Sequence, residues 1–256
     1  MGEFESALFE FERAERLLVK IDNNTRSLHS VWGYWYCDVL LDLGQFETVE
    51  LRARQALEYA PQELSSGMGL LLDTAVAFLS LSRCRTIPAW TSGYGTTEAM
   101  LFVEQSLDGI NRVDHRWMLP QVLLARAEIH LQGENLDSAH QDLDTTEGIV
   151  ESGGLNLYSV DVLLLRAHIF LREGNPTGAR DCLGRAAKSA AAMKYHRQDA
   201  PTRLLMAEAC AAQAEEGAAR SHRSEARATI RRQKCQRWSS FADRLGQIVN
   251  GGALGA

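Results

Sequence analysis

Apolar residues along this chain recur at helical spacing, in blocks separated by short polar or glycine-bearing corners. Val31–Leu43, Leu123–Leu131 and Val162–Leu171 are three such blocks, with Cys37, Ala127 and Ala167 as the small residue on the contact face of each. No segment alternates apolar and polar positions as a half-buried strand does. The pattern therefore predicts an all-α chain.

The blocks repeat. Gly2-Glu3-Phe4-Glu5-Ser6-Ala7, followed by Phe11 and Ala14, is matched by Gly44-Gln45-Phe46-Glu47-Thr48-Val49, followed by Ala53 and Ala56. Gly174-Asn175-Pro176-Thr177-Gly178-Ala179, with Leu183 and Ala186, carries Pro176 in the aromatic slot. Leu136, Ala139 and Leu143 give another copy, with Gly133 displaced by one residue and Thr146 where alanine is expected. Thr97-Glu98-Ala99 with Val103 is a weaker one. With Ala7, Val49, Ala99, Ala139 and Ala179 as register marks, the intervals are 42, 50, 40 and 40 residues.

Each part of the scheme has a physical reason. The glycine ends one helix because it accepts the positive φ of a C-terminal cap. The aromatic plugs the corner, and the small residue lets the second helix approach the first. The positions four and seven further share a face and bury against the next pair. An array of antiparallel helix pairs wound into a right-handed solenoid is the expected architecture, with units of about 40 residues.

Two stretches depart from the scheme. Arg83–Gly95 supplies the ten-residue excess of the longest interval and holds Pro88, Trp90, Gly93, Tyr94 and Gly95. It reads as an insert at about 85–95, with Trp90 and Tyr94 either exposed as contact candidates or folded back on the array. After Ala200 the repeat fades; Ala219 keeps the register, but Arg223 takes an apolar slot. The expected organisation is an array over 1–219 and a basic tail over 220–256, as a cap helix or partly disordered. At the other end, Gly2-Glu3-Phe4 is a corner without a preceding helix, so the chain reads as starting inside a helix pair, with Glu5–Ile21 as its second helix.

Charge sharpens this division. From Arg220 onward eight Lys/Arg face two acids, a balance of +6, which leaves −12 on residues 1–219 of a chain whose total is −6. An acidic body argues against nucleic-acid binding there and leaves an anionic surface as a possible contact of the tail. The five cysteines are scattered without a C-x-x-C pair, so buried thiols are expected. No apolar run approaches the roughly 20 residues of a membrane span, and the start lacks a signal-peptide pattern, so a cytoplasmic location is expected.

Candidate chemistry is sparse. There is no phosphate-binding G-x-x-x-x-G-K-[ST], no H-E-x-x-H and no G-x-S-x-G. Gly93-Tyr94-Gly95 lacks the lysine and preceding strand of a nucleotide loop. His130 and His168 have no second ligand at helical spacing, and Asp142 and Asp144 read as part of a solvated face. No catalytic residue, cofactor or metal is expected. The first helices would line a concave face with Tyr34, Trp35, Asp38 and Asp42, then Glu128 and Gln132, then His168 and Arg172. Trp32, Tyr34, Trp35 and Tyr36 cannot all share one side of a helix; Tyr36 is expected in the core, and Tyr34 and Trp35 as exposed anchors.

The segments Leu28–Leu41, Leu70–Ala75, Leu123–Glu128 and Lys194–Asp199 resemble tetratricopeptide-repeat (TPR) regions of large bacterial proteins, where such arrays often follow a NACHT- or STAND-type NTPase module. The resemblance covers about residues 1–200 and departs at Arg85–Tyr94 and after Ala200. It implies a scaffold or sensor arm that binds a peptide or protein partner. In TPR groups with a carboxylate clamp, lysine and asparagine line the groove; the matching positions here are Tyr34, Asp38, Leu124, Glu128, Leu164 and His168, which do not carry it. A small-molecule receptor or an enzyme with a site near Trp90–Gly95 is the alternative expectation.

Overall fold

A computed structural model describes residues 3–21, 27–59, 67–92 and 96–249, with the side chains at 59, 67–70, 88–92 and 247–249 outside the description. Twelve α-helices occupy these residues: α1 (Phe4–Ile21), α2 (Ser30–Asp42), α3 (Phe46–Tyr59), α4 (Gly67–Ser92), α5 (Thr96–Arg112), α6 (Leu119–Gln132), α7 (Leu136–Gly153), α8 (Asn156–Arg172), α9 (Pro176–Met193), α10 (Asp199–Ala212), α11 (Glu216–Gln233) and α12 (Ser239–Val249). No strand occurs among the described residues.

The corner scheme is visible in the backbone. Positive φ recurs at Asp114, Gly154, Lys194 and Lys234, and in a second series at Glu134, Gly174 and Ala214, each series stepping by 40 residues. These are the left-handed residues that end the helices, and several are not glycine, so packing on both sides holds a conformation that L residues disfavour. The register marks sit at the tightest contacts: Val49, Ala99, Ala139, Ala179 and Ala219 are all 0% exposed. Leu143, Leu183, Ala186 and Ala226, four and seven further on, are equally buried. Asn135 and Asn175 cap α7 and α9 by accepting from the Ser138 and Gly178 amides at 3.3 and 2.9 Å.

Two expectations are corrected. The described part of the insert is helical: α4 runs unbroken from Gly67 to Ser92, so residues 85–92 lengthen a helix. Pro88 lies in its last turns, where it removes one amide donor without ending the helix. Cys84 and Ile87 are core residues, and Arg85 bridges Glu50 on α3 and Glu98 on α5 at 2.6 and 2.9 Å. The side chain of Trp90 and all of Tyr94 lie outside the described residues. Nor does the pattern fade after Ala200, since α11 and α12 form the next pair. Arg223 fits its apolar slot by donating from Nε to the Ala242 carbonyl at 2.8 Å, and Gly246 leaves room, because a Cβ there would overlap the guanidinium.

The chain divides into two compact units, Glu3–Gln132 and a second from Gly133 on. In the N-terminal unit, α2 packs on α4 and α4 on α6, as well as each on its sequence neighbours. In the C-terminal unit, α8 packs on α10 and α10 on α12 in the same way. Even-numbered helices thus form a layer of their own within each unit. One large core holds Leu164, Leu183, Leu204 and Phe241 in the C-terminal unit; two smaller ones centre on Leu79 with Val103 and on Leu40 with Val49 in the N-terminal unit. All five cysteines are buried free thiols. Among the described residues no helix is long and apolar enough to cross a membrane.

Candidate functional site

In the N-terminal unit the even-numbered helices carry a polar seam. Tyr34, Asp38 and Asp42 stand on one side of α2 at i, i+4 and i+8, and all three are buried. Arg83 comes across from α4, ion-pairs with Asp38, and donates to the Tyr34 hydroxyl at 3.0 Å. Thr86, one turn along α4, presents its carbonyl to the Gln132 side-chain amide of α6 at 3.0 Å. Beside the seam, Arg52 of α3 ion-pairs with Glu15 of α1 at 2.5 Å and lies over the Tyr36 ring at 4.1 Å. Phe11 stacks on the other side of that ring at 5.1 Å. Arg83 and Arg52 are thus each paired with a carboxylate of the same unit.

The expected anchors are redistributed by this packing. Tyr34 is not exposed: its hydroxyl is needed as an acceptor for Arg83, and its ring meets Trp35 edge-on at 5.2 Å. Tyr36 lies in the core as expected, Trp35 is half-buried, and Trp32 is the exposed member of the cluster at 68%. Asp38, Asp42 and Glu128 are buried, while Gln132 keeps partial exposure.

The C-terminal unit holds a different arrangement. His168 on α8 and Arg244 on α12 both contact the Phe241 ring, and Arg172 follows one turn beyond His168; Arg172 and Arg244 also act electrostatically on Glu208 of α10. Glu208 stands forty residues after His168, and Arg244 forty after the buried Leu204. His168 was expected on a groove surface; it is 6% exposed, with its ring 6.0 Å from that of Phe241. Phe241 also meets Trp238 at 6.4 Å and carries the Arg244 guanidinium over its face at 5.0 Å. Arg172 is exposed, so the cluster reaches solvent at the end of α8.

Electrostatics mark this cluster out. Burial, aided by Arg172 and Arg244, pushes His168 down to about 3, so its imidazole is neutral near pH 7. Burial holds the Glu208 carboxyl above its ordinary value even though both arginines pull it down. Desolvation likewise lowers Arg244. The Glu208 Oε2 is buried without a hydrogen-bond partner among the described residues. An oxygen in that state costs on the order of 1–3 kcal/mol, more when charged.

Sequence reasoning found His168 and Arg172 but missed Glu208 and Arg244. The available signal was the 40-residue step itself, which places Glu208 in register with Glu128 and His168. Among the described residues no group of three or more His, Cys, Asp or Glu is disposed to hold a metal ion. No known protein family, curated protein or solved structure matches the chain.

Proposed function

We propose that this chain is a TPR-like solenoid acting as a non-enzymatic protein-interaction module, a scaffold or sensor arm of a larger bacterial signalling assembly of the NACHT or STAND kind. The observation that carries this reading is the mutual packing of α2, α4 and α6. Helix pairs whose first helices touch one another present those helices as an inner surface, which repeat arrays use for extended binding. The buried Tyr34–Asp38–Arg83 group is then the floor of the face, and Trp35 with Gln132 are the groups a peptide meets. Half-buried aromatics suit this role because they are already ordered before binding.

Peptide display against the immobilised full chain tests the reading. Enriched peptides are expected to bind saturably in solution and to lose about tenfold in affinity (about 1.4 kcal/mol) with Trp35→Ala or Gln132→Ala, while the circular-dichroism melt stays cooperative. Failure to enrich any peptide, or peptides whose binding ignores both substitutions, rejects this face.

A further inference from the structure

Among the described residues α1 is packed mainly on one side. Leu8 and Phe11 join the core around Tyr36 and Leu40, and Glu15 holds Arg52 of α3. Helices α3, α5, α9 and α11 each pack on the helix before and the helix after them, whereas α1 packs mainly on α2. Its other side carries Ala7, Glu10, Ala14, Leu17 and Ile21, spaced alternately three and four residues apart, as in the seam one helix presents to another. Matched repeat positions measure the opening. Ala99, Ala179 and Ala219 are fully buried where Ala7 is half-buried, and Ala186 and Ala226 are fully buried where Ala14 is half-buried. Leu17 is 49% exposed where Thr229 is buried, and Ile21 is 84% exposed where Val113 and Gln233 are each 8% exposed.

Charge and shape together restrict what covers this seam. Glu5, Glu10 and Glu12 lie in the first half of α1, and Arg13, Arg16 and Lys20 in the second. An antiparallel α1 from a second copy therefore sets acid against base, whereas a parallel one sets like against like. Small residues at Ala7 and Ala14 leave room for large ones, and the helix supplies these itself at Leu17 and Ile21. A face complementary to itself in this way meets the condition for an isologous contact. A head-to-tail stack lacks a matching apolar surface, since no large apolar side chain is exposed beyond Leu157 among the described residues. We propose that α1 is a dimer interface, in which two copies of the chain dock their α1 helices antiparallel about a two-fold axis near Ala14. Ile21 of each copy covers Ala7 of the other, and Lys20 of each lies beside Glu10 of the other. This contact uses neither Trp35 nor Gln132, so the peptide experiment and the one below succeed or fail separately.

Sedimentation equilibrium on the full chain tests this. A reversible monomer–dimer equilibrium is expected, and Leu17→Glu and Ile21→Glu should each raise the dissociation constant at least about tenfold. Both side chains are exposed, so the circular-dichroism melt of each variant should match that of the parent chain, which separates lost association from lost structure. Glu10→Lys and Lys20→Glu are each expected to weaken self-association. An equimolar mixture of those two variants should restore it, because every base of one copy then meets an acid of the other. A chain that stays monomeric up to about 200 µM overturns the proposal. A dimer indifferent to both Leu17→Glu and Ile21→Glu lies on another surface and overturns it as well. So does a mixture of the two charge variants that associates no better than either alone.

Discussion

In the N-terminal unit Arg83 reaches from α4 to Asp38 and the Tyr34 hydroxyl on α2; in the C-terminal unit burial holds the Glu208 carboxyl on α10 above its ordinary value against the pull of Arg244 and Arg172. Each arrangement lies on the even-numbered helices of its own unit, and both bury charge. They differ in what dominates: an ion pair at contact in the first, desolvation in the second. An ion pair at contact fixes how helices sit on one another, whereas a carboxyl ruled by desolvation carries an energetic cost. Buried polar residues at first-helix positions are therefore poor evidence of a binding site until their partners are known.

The sharpest way to break the comparison is to remove one half of the ion pair. Arg83→Met removes the cation and leaves Asp38 buried with its main counter-charge gone. A loss of about 3–5 kcal/mol in urea-unfolding stability is expected, and Arg83→Met combined with Asp38→Leu should recover much of it, as for other buried pairs replaced together. If Arg83→Met costs under about 1 kcal/mol, the seam is not held by this pair and the contrast with the C-terminal cluster fails.

The C-terminal cluster should respond to pH. The folded chain keeps His168 neutral down to about 3, whereas an unfolded histidine takes its proton near 6.5. The unfolded state thus binds more protons in this window, and stability falls as pH drops through it. Between pH 7.5 and 5 the loss from this group is about 2 kcal/mol. His168→Gln should flatten that part of the pH dependence, measured by urea melts at the two pH values; an unchanged slope rejects the buried-neutral assignment. Glu208 works in the opposite direction. Its folded carboxyl is raised above the ordinary 4.5, so its contribution is complete below that value and is lost as pH rises through the folded one. Glu208→Gln is expected to be neutral near pH 4 and to stabilise the chain near pH 8. Urea melts of the variant at the two pH values check this; destabilisation near pH 8 rejects the assignment of a burial-dominated Glu208 carboxyl.

The helical class and the register were legible from spacing, because buried alanines at a fixed step leave few other packings. Ala139, Ala179 and Ala219 needed only counting. Two kinds of position were not legible. Pro88 with Gly93 and Gly95 has loop composition, but tertiary contacts of Cys84, Arg85 and Ile87 carry α4 through to Ser92. Arg223 looked like the end of the repeat, and only Gly246, twenty-three residues on, shows how its guanidinium is housed. Tyr34 and His168 were assigned to the correct layer but to the wrong depth, since helix periodicity gives direction and not the height of the neighbours. Glu208 and Arg244 act on one another only once α10 and α12 are side by side.

The smallest expected effect compares the units at one repeat position. Arg126 of α6 pairs with Glu104 of α5 at 3.0 Å, and Arg166 of α8 pairs with Asp144 of α7 at 2.9 Å, both partners displaced by forty residues. Arg166 has a second acid, Glu147, at 2.8 Å. The acids are partly exposed, so each pair is worth roughly 0.2–1 kcal/mol and is screened by salt. Double-mutant cycles should give Arg166 the larger coupling, summed over Asp144 and Glu147, by a few tenths of a kcal/mol. That difference should shrink at about 1 M salt. Equal couplings mean that the second acid adds nothing, and then the contrast between the units rests on their buried charges alone.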